Sequence, residues 1–455
     1  MTDLPDDDWL RGAGTVAVHG LGREGRSLVT DLATSNPGAE ILVLDDAAPS
    51  DDDRQFLADA GATSVVGPDQ GVEVVGDADV LVRSPGVPPS HAVQVAARAA
   101  DVPVTTVLNV FFARHRPTNV VAITGTKGKS TTTTLLGHLL GEAGRTVRVA
   151  GNVGTSVLDL DVAPSALDHL VLELSSYQLA DLRGRPSLGL WLNLHRDHHG
   201  WHGGGEAYAA DKGRIVALSD RLIVNGADDR VLARSRDHRD RAQFDASGDP
   251  IVAGRLGVSR AVLRTALESS RLVGTHNLAN LAAVVAVGAD LGVDPAALLG
   301  GLASFRPLPH RLELVHDDGR RWVDDSIATI PEATVAALDA FPDTPVTLLA
   351  GGFDRDQDHA PLLAVLATRA GGPGPVVVVA LPDTGHRLAI DLAGAHPDVA
   401  VRPVPDLAAA VAEADRVTPR GGVVLLSPAA ASFNQFRSFE DRGHQFATLA
   451  RARPA

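Results

Sequence analysis

The chain has 455 residues, is 44% hydrophobic and 21% charged, carries a formal net charge of −15 and contains no cysteine. That balance supports about three domains with full cores. It excludes a broad basic face for nucleic acid, as well as disulfides and cysteine nucleophiles. An acidic N-terminus and the lack of an 18-residue apolar run give no expectation of a signal peptide or membrane span, so a cytoplasmic protein is expected, acting on small molecules and taken as a monomer. Lysine occurs only at positions 127, 129 and 212 among 41 Lys and Arg residues. Where Arg supplies nearly every cation, a remaining Lys should do something a guanidinium cannot, such as titrating or being modified on a compact amine.

In chain order, TVAVH (15–19) predicts a buried strand. It leads into Gly20-Leu21-Gly22-Arg23-Glu24-Gly25 and a helix, and a second strand follows that ends at Asp45. This spacing fits a dinucleotide fingerprint: a pyrophosphate on the helix end at Gly22, Arg23, Glu24 and Gly25, and Asp45 placed for a ribose hydroxyl. It does not say which nucleotide. Ser84-Pro85-Gly86 follows another strand, at the end where open α/β sheets bind ligands; a plain loop is the competing reading.

Residues 120–140, VVAITGTKGKSTTTTLLGHLL, predict strand, tight loop and helix. Gly125-Thr126-Lys127-Gly128-Lys129-Ser130-Thr131 has the Gly-Lys-Ser core of a phosphate loop. Its amides and the helix end would cradle polyphosphate, Lys129 would reach the terminal phosphates and Ser130 would ligate Mg²⁺. Ile123 stands where the strict pattern has its first glycine. Glu173 sits in the apolar strand LVLELSSYQL, where a charge is costly unless paired; Mg²⁺ shared with Ser130 would pair it. The His-rich run 188–204 could suggest zinc, but a polar loop giving one His, with Asp197 as a further candidate, fits it better. Lys212 lies on a helical stretch. Asn277 and Asn280 open another helix, as purine contacts or caps. After a Pro-rich hinge at 305–313, strands and helices alternate again without a glycine fingerprint.

Together, the 125–131 loop, Glu173, Asp197-His198, Lys212, His276-Asn277, Pro309-His310-Arg311, Asp325-Ser326 and LSPAAASFNQF (425–436) resemble, in order and spacing, the Mur ligase family, and its glutamate-adding branch most. The resemblance spans essentially the whole chain. It implies an α/β protein of three domains: a Rossmann-like UDP-binding domain (1–111), a central P-loop ATPase domain with a mostly parallel sheet (112–306) and a C-terminal Rossmann-like amino-acid domain (307–455). It implies ATP-dependent ligation of glutamate to UDP-N-acetylmuramoyl-L-alanine in peptidoglycan synthesis.

By the same resemblance, Gly22 to Gly25 would hold UDP rather than NAD. Lys129 and Thr131 would contact phosphates, and Ser130 with Glu173 would hold one Mg²⁺. A carbamylated Lys212 with His198 would hold a second. Asn152 would contact the muramoyl substrate, and Asn277 and Asn280 would lie near adenine. Arg311 and Asp325 would close over the nucleotide. Ser176, Thr329, Arg355, Ser432 and Phe439 would contact substrates. Two stretches depart from the D-glutamate-adding pattern: Asp325-Ser326-Ile327-Ala328-Thr329-Ile330, and Arg355 in GGFDRDQDH. They are similar to the branch that adds L-glutamate. The alternatives are a D-glutamate-adding ligase, a folylpolyglutamate synthase relative, an NAD-dependent oxidoreductase and a non-catalytic nucleotide sensor.

Overall fold

Short runs of Val, Leu and Ile flanked by glycine loops build three sheets, alternating with helices. The computed structural model describes residues 7–195, 199–245, 251–253, 256–274, 276–355, 357–433 and 435–453. The first sheet contains β1 (Thr15–His19), β2 (Glu40–Asp45), β3 (Thr63–Val66), β4 (Val80–Arg83) and β5 (Val104–Thr105), all parallel, in the order β3-β2-β1-β4-β5. The order reverses between β1 and β4, which opens a crevice at their carboxyl ends.

The second sheet contains β6 (Val120–Thr124), β7 (Val147–Gly151), β8 (His169–Glu173), β9 (Leu188–Trp191), β10 (Arg221–Asn225), β11 (Arg241–Phe244), β12 (Ile251–Ala253) and β13 (Leu256–Val258), in the order β13-β12-β11-β10-β9-β6-β8-β7. It is parallel from β7 to β11 and antiparallel at its β12–β13 end. β6 is fully buried between β8 and β9, and Ile123 is in register with Glu173.

The third sheet contains β14 (Glu313–Asp317), β15 (Arg321–Asp324), β16 (Val346–Gly352), β17 (Val376–Asp383), β18 (Ala400–Pro403) and β19 (Val423–Leu426), in the order β14-β15-β19-β16-β17-β18. Only β14 runs antiparallel there. Sequence patterning misses β14 and β18. Both are edge strands with half-exposed, partly charged faces, where apolar alternation is weak.

The chain divides into two compact units. Residues 1–263 with 280–301 carry the first two sheets, and residues 264–279 with 302–455 carry the third. In the first unit one apolar core runs from β1 and the helix Arg23–Ser35 through Phe111 and Phe112 to β6 and β8. Polar ties reinforce it: Arg114 to Asp31 at 2.7 and 2.9 Å, Ser27 to Asp159 at 2.7 Å, and buried Arg83 to Asp181. No helix among the described residues is long and apolar enough to cross a membrane.

Candidate active site

β6 delivers its chain into the 125–131 loop at the carboxyl edge of the central sheet. Gly128 has φ +82°, and a Cβ there would lie 2.5 Å from Asn280 Oδ1, so this turn needs glycine. The helix Lys129–Glu142 starts at once, and its first-turn amides have no partner within the helix. Sequence reasoning aims every loop amide at a ligand, and the structure corrects this for two of them. Asn193 Oδ1 accepts from Thr126 N at 2.9 Å and Lys127 N at 2.8 Å, while its Nδ2 donates to Lys127 O at 3.0 Å. Asn193 thus moulds the loop, leaving the helix end to receive an anion. Its only sequence signal was its position, just beyond a buried strand in LWLNL.

Two lysines brace the same loop. Lys129 Nζ donates to Thr126 O at 3.0 Å. Lys212, 1% exposed, donates to Gly125 O at 2.9 Å and sits 5.1 Å from the Tyr208 ring, whose hydroxyl meets Thr126 Oγ1 at 2.9 Å. Lys212 thus reaches the phosphate loop from the helix Gly205–Leu218. In this state its amine is a hydrogen-bond donor to protein carbonyl oxygen.

Glu173 ends β8 beside this loop and is fully buried. Oε1 accepts from Asn152 Nδ2 at 2.7 Å, and Oε2 has no partner. A buried carboxylate oxygen left over next to a Gly-Lys-Ser loop has the chemistry of a hard-cation ligand. Asn152, expected on the muramoyl substrate, therefore commits its amide nitrogen to Glu173. Its backbone N–H also donates to Glu173 O at 2.9 Å.

The first sheet's crevice is built differently. A Cβ at Gly25 would lie 2.1 Å from Gly20 O, and Ser84 Oγ donates to Gly20 O at 2.8 Å, so Gly20, Gly25 and Ser84 fasten the helix to the strand ends. Asp45, expected on a ribose, accepts from Leu21 N at 3.1 Å. Arg23 and Glu24 turn toward the central sheet: Arg23 donates to the carbonyls of Gly151, Asn152 and Gly154, and Glu24 Oε1 accepts from Gln178 Nε2 at 2.6 Å. Burial raises the Glu24 pKa. Gly86 O accepts from Trp201 Nε1 at 3.2 Å. His19, Asp46 and His91 gather nearby, with the His19 pKa lowered to about 4 by burial and by His91.

His198 and Asp197 lie outside the described residues. In the same run His202 is structural, bonded to Asp211 at 2.7 Å and to Ser176 Oγ at 3.0 Å, which occupies the Ser176 hydroxyl as well. The third sheet carries the remaining candidates. His310 and Leu312 have φ +60° and +45°, flanking exposed Arg311. Asp325 accepts from Leu312 N at 3.2 Å and Ser427 Oγ at 2.8 Å, and burial raises its pKa to about 7. Arg355 lies over the exposed Phe433 ring at 5.4 Å; Ser432 is buried, Thr329 and Phe439 half-buried. Asn277, in this unit, donates to Val273 O at 2.7 Å. Arg442, not singled out from sequence, is fully buried and donates to Ser326, Ala430 and Ala431, locking the loops that carry Thr329 and Ser432.

Residues 123–288 match the model of the Mur ligase middle domain, and residues 310–430 that of the Mur ligase, glutamate ligase domain. A Micromonospora sp. protein named UDP-N-acetylmuramoyl-L-alanine–L-glutamate ligase is 41% identical, over 97% of both chains. The chain belongs to the Mur ligase family. It is therefore a ligase that forms amide bonds. This Mur ligase is also 35% identical to a UDP-N-acetylmuramoylalanine–D-glutamate ligase from Aromatoleum aromaticum, over 96% of this chain and 97% of that one. The fold matches the crystal structure of UDP-N-acetylmuramate-alanine ligase MurC from Thermotoga maritima, with TM-score 0.58 and 18% identity, over 97% of this chain and 99% of that one.

Proposed function

We propose that this Mur ligase joins L-glutamate to UDP-N-acetylmuramoyl-L-alanine at the expense of ATP, for peptidoglycan synthesis in the cytoplasm. The alanyl carboxylate attacks the γ-phosphate, giving an acyl phosphate and ADP. The glutamate amine then attacks the acyl carbon, and phosphate leaves. Such transfers need mainly positioning and charge neutralisation. The observation that carries the reading is the buried Glu173 with its unpartnered Oε2 beside the Gly-Lys-Ser loop. In this reading Lys129 and Thr131 hold phosphates, the first crevice around Gly22 and Ser84 holds UDP, and Arg355, Ser432 and Phe439 hold glutamate. The three parts 1–111, 112–306 and 307–455 act as UDP, ATP and amino-acid domains of a monomer.

Glu173 and Ser130 fit one Mg²⁺, which would neutralise phosphate charge. Lys212 and His198 are the family's set for a second, through a carbamate on Lys212. The donor role of the Lys212 amine toward Gly125 O does not itself call for that carbamate. A carbonyl signal from ¹³C-bicarbonate that disappears in Lys212→Arg is the expected mark of the modification.

Ile327, Ile330 and Arg355 support L-glutamate, because their stretches resemble the L-glutamate-adding branch, and the Micromonospora sp. relative bears that name. The likeness to the Aromatoleum aromaticum protein favours D-glutamate as the second reading. The test is turnover with UDP-N-acetylmuramoyl-L-alanine, ATP and each enantiomer, counting ADP. Release with L-glutamate is expected. Release with D-glutamate alone reverses the enantiomer, and none with either rejects the ligation.

A further inference from the structure

Arg23 stands at the first helical position after the glycine turn of the first sheet, where a nucleotide phosphate is expected. Its guanidinium is already engaged. Nη1 donates to Gly154 O at 2.9 Å, and Nη2 donates to Gly151 O at 3.0 Å and Asn152 O at 2.8 Å. These three carbonyls belong to one turn with left-handed glycines at both ends, Gly151 at φ +98° and Gly154 at φ +73°. A planar fork with donors on two nitrogens can hold such a turn; a lysine ammonium cannot match that layout.

The turn in turn holds Glu173. A Cβ at Gly151 would lie 2.4 Å from Glu173 O, so the two backbones pack without spare room. Asn152 grips Glu173 twice, through its backbone N–H to Glu173 O and its Nδ2 to Oε1. One oxygen is thereby fixed and the other, Oε2, is left over. A second tie runs in parallel from Glu24 to Gln178, which caps the helix that follows Glu173 with Ser175.

We infer that Arg23 is a positioning residue for the cation-binding carboxylate: it clamps the 151–154 turn so that Asn152 presents Glu173 Oε2 to Mg²⁺. The residue that looks like a uridine-site contact thus serves the ATP site. This rests on the reading of Glu173 as a Mg²⁺ ligand, and the experiment separates the two.

Binding of ADP is measured by calorimetry across a Mg²⁺ titration, with no turnover, for the parent enzyme, Glu173→Gln and Arg23→Gln. Binding of UDP-N-acetylmuramoyl-L-alanine and thermal unfolding are measured alongside. Groups that orient a ligand typically alter metal affinity 10–100-fold, so Arg23→Gln should raise the Mg²⁺ concentration for half-maximal tightening about tenfold. Mg²⁺-free ADP binding and UDP-substrate binding should hold to within about twofold. If Glu173→Gln leaves the Mg²⁺ curve unmoved, the ligand reading fails and this inference with it. If Glu173→Gln shifts the curve and Arg23→Gln does not, the inference alone is overturned. Weakened UDP-substrate binding with an unmoved Mg²⁺ curve also overturns it and returns Arg23 to the uridine site. Should Arg23→Gln unfold at assay temperature, Arg23→Lys, which keeps the charge and loses the fork, carries the same expectation.

Discussion

Two glycine loops in the first unit share one plan, strand, turn and helix, and differ in almost every side chain. The loop after β1 is closed by backbone: Gly25 packs on Gly20 O, Asp45 caps Leu21, and Arg23 and Glu24 face the neighbouring sheet. The loop after β6 is moulded by side chains, Asn193 bonded to its amides, Lys212 to Gly125 O and Asn280 against Gly128. The glycine spacing therefore specifies a turn and a helix end. What surrounds the turn decides whether its side chains serve a ligand or the scaffold.

The two loops should differ most at their charged side chains. Lys129→Ala should lower kcat about 10³-fold or more with the fold intact by circular dichroism, as for other cations that stabilise a transferring phosphoryl group. Near-normal turnover would remove the β6 loop from the chemistry. The glycines should separate next. Gly25→Ala drives a methyl into backbone and should cost about 3 kcal/mol or more in urea unfolding, at the top of the usual single-site range. Gly128→Ala meets the end of the Asn280 side chain, which can move, so about 1–2 kcal/mol is expected from its φ of +82°. Equal losses would mean that both turns are closed in the same way.

Asn193→Ala frees the exposed Lys127 amide, while Thr126 N keeps its bond to Asn193 O at 3.0 Å, and should weaken ADP binding about tenfold by calorimetry with little change in unfolding. Asp325, outside both loops, is the control. Its folded pKa of about 7 lies above the ordinary carboxyl value of 3.8, so its stabilising contribution is complete below pH 3.8 and is lost as pH rises through 7. Asp325→Asn should thus flatten the fall in stability between pH 4 and 7 by about 3–4 kcal/mol, read from urea midpoints.

Much of this architecture was legible because its signals are local. The apolar runs at 15–19 and 120–124, the glycines that follow, and one acid inside an apolar strand announce their own conformations. Two of the three rare lysines lie in the β6 loop, and the structure brings the third, Lys212, to Gly125 O of the same loop. Contacts between residues far apart in sequence were not legible. Arg23 bonds to carbonyls about 130 positions on, and a backbone carbonyl leaves no residue type to recognise. Asn193 and Arg442 escaped for the same reason, since their targets are main-chain atoms of distant loops. Edge strands β14 and β18 lacked a buried face to write an alternating pattern.

The burial of Lys212 has a practical consequence. Lys127 is exposed, Lys129 is half-covered and Lys212 is sealed at 1% exposure. An amine-selective reagent will therefore find Lys127 first among the side chains. A fluorophore attached there reports from the rim of the nucleotide loop in a chain whose surface offers almost no competing amine.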